Sequence, residues 1–301
     1  MQYSYQFPGH ALAQWDAWAE GRDLTDIAVC AEEAGFDVVS ATDHPFPGGR
    51  WVDNGGHHAF DPFVALSFMA SATTTIRVMT FLLVSGYRNP YLMAKSISSL
   101  DVLSRGRTAI GMGAGYQRRE FAALGADFPR RGPLFDEAVA AMREAWLGEP
   151  LLREESEFPA TGNVMLPRPR QRPGPPILIG GNSKAAMRRV AELGDGWLPF
   201  EQTAPMAETT GTPRLSADDL PDHISAIGER RAALGRDPHF EVIYTPLQHD
   251  DPARRADALM ELSARLESSG VTHIALEGTG PTLSACINEI EHIGDAVIAK
   301  P

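Results

Sequence analysis

The sequence predicts a closed (β/α)8 TIM barrel with insertion loops at its C-terminal face. Three observations carry that expectation. Short β-rich apolar runs alternate with longer helical patterns along the whole chain, eight such strand–helix units can be counted, and 301 residues suits one barrel of typically about 250 residues plus insertions. Strict alternation predicts parallel strands with helices outside. Eight units is the count that closes a barrel, whereas an open doubly wound sheet stops at about five or six strands. A single domain over residues 1–301 is expected.

The elements follow in order. Residues 3–7 read as the first strand. A helix over 23–34 comes next, because Leu24, Ile27, Ala28, Ala31 and Ala34 recur at helical spacing and Gly35 ends the run. Strand 37–41 leads into a loop rich in glycine and histidine, 43–58. Asp61 and Pro62 then open a helix through Ser71, an N-cap followed by proline at the first helical position. Residues 76–85 form a strong third strand, followed by helix 90–103, strand 107–111 and helices 118–124 and 134–146. Residues 149–176 are rich in proline and arginine, lack a clear period and read as an excursion. Strand 176–180, helix 183–193 and strand 196–199 resume the pattern, and the Thr- and Pro-rich stretch 201–215 reads as a mobile loop. Helix 217–234, strand 240–245, helix 253–268, strand 272–276 and helix 281–293 complete the series.

Bulk properties narrow the function. With 27 basic and 39 acidic residues the formal charge is −12, which favours solubility and argues against nucleic acid as a partner, while leaving room for a local basic patch that holds a phosphate. Cys30 and Cys286 lie far apart with no zinc spacing, and read as two reduced thiols. The opening residues carry no signal-peptide pattern, and no apolar run approaches the ~18–20 residues that span a bilayer. A cytoplasmic location without a membrane partner is expected.

Barrel active sites form where the strands end, so the polar residues just past each strand are the candidates. Asp43 and His44 follow the second strand. Asp43 there either orders the loop or bonds a cofactor, and His44 is either an exposed loop residue or a group that moves a proton near neutral pH. Gly111 to Gly115 follow the fourth strand. The segment lacks the spacing of a dinucleotide fingerprint and suits close approach of backbone to a planar ligand. Gly180, Gly181, Asn182 and Ser183 stand between a strand and a helix start. They form either a tight capped turn or an anion site at the positive end of the helix. His57 and His58 raise the thought of a metal, but no HxH or HExxH motif accompanies them, and GxSxG is also absent. No metal is expected. Phe46, Trp51, Phe60, Phe200 and Met112 suggest an apolar mouth for an uncharged organic substrate, or else belong to the core.

Taken together, several segments resemble the bacterial-luciferase-like flavin oxidoreductases. They are Ala41-Thr42-Asp43-His44, Ile76 to Thr80 through Arg88-Asn89-Pro90, Leu100 to Arg107 leading into Gly111 to Gly115, Pro175 to Ser183, and Leu193 to Trp197. The similarity runs in order through nearly the whole chain. Gly115-Tyr116, Glu120-Phe121 and Leu124-Gly125 look most like the branch that uses coenzyme F420, a 5-deazaflavin. The resemblance implies a flavin-type ring across the barrel mouth, contacting Asp43, Val84, Ser85, Gly113, Ala114 and Gly115, with a non-prolyl cis peptide at Val84-Ser85. It implies a phosphate-bearing tail over Gly180, Gly181, Asn182 and Ser183, a proton-handling His44, and a homodimer. Tyr116 is a departure, since some sugar-phosphate dehydrogenases of the deazaflavin group carry a glutamate there. Their acid–base pairing and substrate are therefore not carried over, and Tyr116 either donates to a substrate carbonyl or packs on the ring. The implied activity is F420-dependent hydride transfer to or from a small organic substrate. The alternatives are a monooxygenase using reduced FMN and oxygen, and a non-catalytic flavin-binding protein.

Overall fold

The computed structural model describes residues 1–12, 22–248 and 252–299. In chain order the strands are β1 (Gln2–Gln6), β2 (Val38–Ala41), β3 (Arg77–Val84), β4 (Thr108–Gly113), the short β5 (Leu152–Arg153) and β6 (Ala160–Thr161), β7 (Ile177–Gly180), β8 (Gly196–Leu198), β9 (Glu241–Tyr244) and β10 (His273–Glu277). Eight of them close one barrel in the order β1-β10-β9-β8-β7-β4-β3-β2, and every pairing in it is parallel. The expected TIM barrel is present. The Pro- and Arg-rich excursion holds the antiparallel pair β5-β6 outside it.

The helices are α1 (Arg22–Glu33), α2 (Gly49–Asp53), α3 (Pro62–Ala72), α4 (Pro90–Leu103), α5 (Arg118–Ala123), α6 (Arg131–Ala145), α7 (Lys184–Glu192), α8 (Ala204–Thr210), α9 (Leu220–Ala233), α10 (Pro252–Leu266) and α11 (Leu283–Ile293). Their starts follow from the sequence. Asp61 Oδ1 accepts the Phe63 and Val64 N–H groups ahead of α3, Asn89 accepts Tyr91 N–H ahead of α4, and Ser183 Oγ accepts Ala186 N–H ahead of α7. Each such cap contributes about 1 kcal/mol. Among the described residues no helix is long and apolar enough to cross a membrane.

Strand alternation builds two cores. Val38, Met79, Ala109, Leu178, Leu198, Ile243 and Ala275 pack inside the barrel, and a larger cluster fills the shell between strands and helices. Because side chains alternate, the residues two positions further along face the barrel interior one layer nearer the mouth. That upper layer includes Gly111, Gly180, Phe200, Thr245 and Glu277, and Gln6 joins it beside Glu277 in the β1-β10 register.

Three expectations need correction. The non-prolyl cis bond stands between Phe81 and Leu82, not between Val84 and Ser85. The β3-β4 register shifts between Thr80 and Leu83, so the irregularity falls inside the strand, after which Val84 pairs with Gly113 and Ser85 opens a 3-10 turn. Residues 201–215 are not all loop, because Thr203 caps α8 and Gly211 ends it at φ 64°. Threonine-rich composition hid a helix whose start and stop signals, Thr-x-Pro and Gly, were both present. Strand β4 also runs on through Gly113, two residues past its expected end, so part of the glycine segment is strand.

Candidate active site

A cavity of about 740 Å³ opens at the C-terminal ends of the strands, where barrel sites form. All the predicted site residues line it except Ser85 and Asn182.

Asp43 is almost fully buried just past β2. Its Oδ2 accepts Val84 N–H at 3.1 Å and Arg88 Nη1 at 2.6 Å, and Arg88 Nη2 reaches Asp61 at 2.8 Å. The other oxygen, Oδ1, has no hydrogen-bond partner. Burial pushes the Asp43 carboxyl up, against the pull of the Arg88 guanidinium. The outcome is a fixed acceptor on the cavity wall, waiting for an N–H or O–H donor.

His44 is held from behind. Its Nδ1 lies 3.1 Å from Glu120 Oε2, and Glu120, at the start of the short α5, is completely buried. Glu120 also accepts the Tyr87 hydroxyl at 2.7 Å and Phe46 N–H at 2.9 Å. Burial pushes the Glu120 carboxyl up, but His44, Tyr87 and Phe46 together hold it below the usual range, so it is ionised. An ionised carboxylate only accepts, which assigns the proton to Nδ1 and leaves Nε2 as the free acceptor of a ring that lines the cavity. Trp51 packs on the imidazole with ring centroids 4.6 Å apart, and His57 meets it edge-on at 5.0 Å. Burial pulls the His57 imidazole down to about 4, so it is neutral at neutral pH. Among the described residues no group of three or more His, Cys, Asp or Glu is placed to hold a metal.

Tyr116 lines the cavity next to Trp51. Burial, helped by the Glu120 charge, pushes its phenol up to about 12, so it stays a donor. Gly113, Ala114 and Gly115 present backbone, and Gly115 takes φ 80°, a region where a side chain is strained. At Gly180 a Cβ would stand 2.3 Å from Leu82 Cδ1. The absent side chain lets Leu82 lie flat across β4 and β7 as a floor.

Beyond that floor the wall turns cationic. Gly181, Ser183, Ala185 and Ala186 stand at the start of α7, and Arg131, Gly132 and Pro133 at the start of α6, with Arg189 between them. Burial first, and then the repulsion of Arg118 and Arg189, pull the Arg131 guanidinium down. Arg189 is already paired with Asp136 at 2.5 Å, so the two helix N-termini and Arg131 make the site for an anion. Asn182 takes no part in the cavity lining. Its amide donates to Phe200 O and Pro213 O and accepts Phe200 N–H, tying the loops after β7 and β8 together. The Ser85 hydroxyl is buried without a partner behind the wall. Of the expected aromatic mouth, Phe200 lines the cavity, Trp51 packs on His44, Met112 is core and Phe46 is 66% exposed.

The residues fit a planar ring with a phosphorylated tail: an orphan acceptor at Asp43, a floor cleared by glycine, and a cationic wall one barrel strand further round. The class is therefore a TIM-barrel protein built to bind a flavin-like ligand at its mouth. The chain belongs to the luciferase-like monooxygenase family, whose model matches residues 1–217. An F420-dependent glucose-6-phosphate dehydrogenase of Microbacterium testaceum is 28% identical over 259 residues, covering 85% of this chain and 74% of that protein. An F420-dependent hydroxymycolic acid dehydrogenase of Mycobacterium tuberculosis is 30% identical over 178 residues, 58% of this chain but only 48% of that protein. Among solved structures, a monooxygenase from Streptomyces bottropensis superposes with a TM-score of 0.79 at 21% identity, covering 99% of both chains. An F420-dependent secondary alcohol dehydrogenase superposes at 0.75 and 17% identity, again over 99% of both chains, and these two likenesses establish the fold.

Sequence reasoning places Tyr87 among the candidates past the third strand without a role, has Glu120 only within the Glu120-Phe121 pair of the family resemblance, and misses Arg131 and Arg189. The signal for Glu120 was a lone acid four residues past Tyr116 at a helix start, which burial turned into the partner of His44.

Proposed function

We propose that this protein is an oxidoreductase that moves a hydride between coenzyme F420 and a small organic alcohol or its carbonyl counterpart. The observation that carries the reading is the buried Glu120–His44 pair, which leaves a bare Nε2 on the wall that also holds the orphan Asp43 oxygen. Its relatives in sequence include F420-dependent dehydrogenases, which supports the deazaflavin. When bound, the deazaflavin supplies or accepts a two-electron hydride. In the oxidation direction His44 Nε2 would take the proton from the hydroxyl oxygen while the carbon bearing that oxygen gives up its hydride to the deazaflavin and becomes a carbonyl, and Glu120 would stabilise the imidazolium that results. Tyr116, protonated and on the same cavity wall, would donate to the oxygen. Asp43 would accept from the ring edge, Val84 and Gly113 to Gly115 would border the ring, and Arg131, Gly181 and Ser183 would hold the tail.

The reading extends to a cytoplasmic homodimer. Cys30 and Cys286 are free thiols, and the outer face of α3 leaves Val64 and Phe68 57% and 45% exposed, apolar surface suited to a second copy. Parallel titrations with F420 and FMN, followed by fluorescence, test the cofactor. Tight deazaflavin binding is expected, and FMN binding with none for the deazaflavin would overturn the reading in favour of the monooxygenase. Replacing His44 with alanine should leave F420 affinity within about threefold and lower turnover about 100-fold or more. Unchanged turnover would leave His44 outside the chemistry.

A further inference from the structure

The cavity has two unlike ends. The β4-β7 side carries Arg131, Arg189 and two helix N-termini. Across the barrel, the β1-β10-β9 side carries Gln6, Glu277 and Thr245, and Glu201 follows β8 next to β9. Gln6 and Glu277 are register partners on paired parallel strands, so their side chains stand side by side in the upper layer. Gln6 is only 8% exposed and Glu277 is half-buried, both line the cavity, and neither side chain makes a hydrogen bond among the described residues. Thr245 Oγ1, next along the layer, is also buried without a partner. Buried groups with unspent hydrogen bonds are costly unless a ligand completes them.

The charges around this end are already matched. Arg255 lies against Glu289, which also accepts Thr279 N–H, the Thr279 hydroxyl and the Tyr5 hydroxyl. Glu201 is a second carboxylate on the wall, accepting the Tyr244 hydroxyl at 2.8 Å. Burial pushes the Glu277 carboxyl up, against the pull of His10 and Arg255. An anionic substrate group would meet two carboxyls here. A hydroxyl would find an amide N–H to accept from and a carboxylate oxygen to donate to.

We infer that Gln6 and Glu277 form a substrate subsite for a neutral hydroxyl group remote from the reacting carbon, and that this subsite rejects phosphate monoesters. The inference rests on the oxidoreductase reading, because it treats this end of the cavity as the substrate end. Placement agrees with that division. β10 is two strands round the barrel from β2, which carries His44, and faces β4 across the mouth. A polyol spanning the two would put one carbinol at His44 and another hydroxyl at Glu277.

The test uses calorimetric binding of mannitol, its phosphate monoester and sec-butanol to the F420-loaded protein, with KM and kcat measured beside it. The wild type should bind mannitol roughly ten-fold or more tightly than the phosphate and more tightly than sec-butanol. Glu277→Ala should erase the preference over sec-butanol, raising KM more than it lowers kcat. Glu277→Lys should reverse the preference toward the phosphate. Equal or tighter wild-type binding of the phosphate overturns the inference, as does a selectivity ratio that neither variant moves. Failure of F420 to bind would instead strike the functional reading, and the same calorimetric ratio is then read on FMN-loaded protein.

Discussion

Replacing Glu120 with glutamine probes how the site sets the proton on His44. The carboxylate accepts from three donors, His44 Nδ1, Tyr87 Oη and Phe46 N. Glutamine keeps one acceptor oxygen and introduces an NH2 group. If the oxygen stays with Phe46 N–H, the NH2 faces Tyr87, whose oxygen can accept, and His44 Nδ1, which must then accept too. The imidazole tautomer flips, Nε2 gains the hydrogen and the cavity loses its base. The comparable loss of a carboxylate behind a catalytic histidine lowers turnover by about 10⁴ in the serine-protease triad. With no nucleophile to activate here, a fall of about 10²–10⁴ in kcat is expected. Stability should fall by about 1–3 kcal/mol, since bonds to a buried charge are exchanged for neutral ones. Turnover against pH, F420 titration and thermal unfolding separate the effects. F420 affinity should hold within a few-fold while kcat collapses across the pH range. A kcat within threefold of wild type, in a variant that folds and binds F420, would refute the tautomer argument.

Three further outcomes follow from particular contacts. Gly180→Ala sets a Cβ 2.3 Å from Leu82 Cδ1, so Leu82 must rise from the floor. F420 affinity should fall about ten-fold or more, with a stability loss of about 1–3 kcal/mol, and unchanged affinity would show that Leu82 does not support the ring. Glu32 accepts the N–H groups of Thr74, Thr75 and Ile76, and although burial pushes its carboxyl up, these bonds hold it down at about 2. A depressed carboxyl adds stability above its unfolded pKa of roughly 4.3 and loses it as pH falls toward 2. Glu32→Gln should therefore cost about 1–2 kcal/mol at pH 7, after discounting for partial exposure, and almost nothing near pH 2, as read by denaturant unfolding at each pH. Phe68→Glu should shift sedimentation toward monomer without altering the far-UV spectrum, and an unmoved sedimentation coefficient would remove the α3 face from any interface.

Much of the barrel was legible because its signals are local. Alternation of strand and helix, Asp61-Pro62 and Asn89-Pro90 as helix starts, and Gly35 as a stop all act within a few residues, and the eight barrel strands fell where the pattern put them. The α8 helix was lost because threonine-rich composition outweighed its caps, and the cis bond was displaced because a register shift inside β3 has no local sequence mark. At the site, Asp43, His44 and the glycines were found from their place after strands. Asn182 was found for the wrong-facing side chain, since a loop amide gives no hint whether it meets a ligand or the neighbouring loop. Glu120, Arg131 and Arg189 sit on helix starts brought to the mouth only by barrel closure, and no spacing rule links them to His44.

Barrel closure also explains why one mouth holds two kinds of chemistry. In the upper layer, Gly111 and Gly180 leave room on β4 and β7 for Leu82, which lines the mouth beside Gly180. On the facing strands the same layer keeps Gln6, Glu277 and Thr245, whose polar groups have no partners inside the barrel. His44 stands between the halves, after β2, with its second nitrogen fixed by Glu120. A ligand lying on the glycine half and another reaching the polar half must therefore meet beside the one imidazole whose proton position the fold has already set. That shared boundary, more than any single residue, makes the mouth suited to passing a hydride one way and a proton the other.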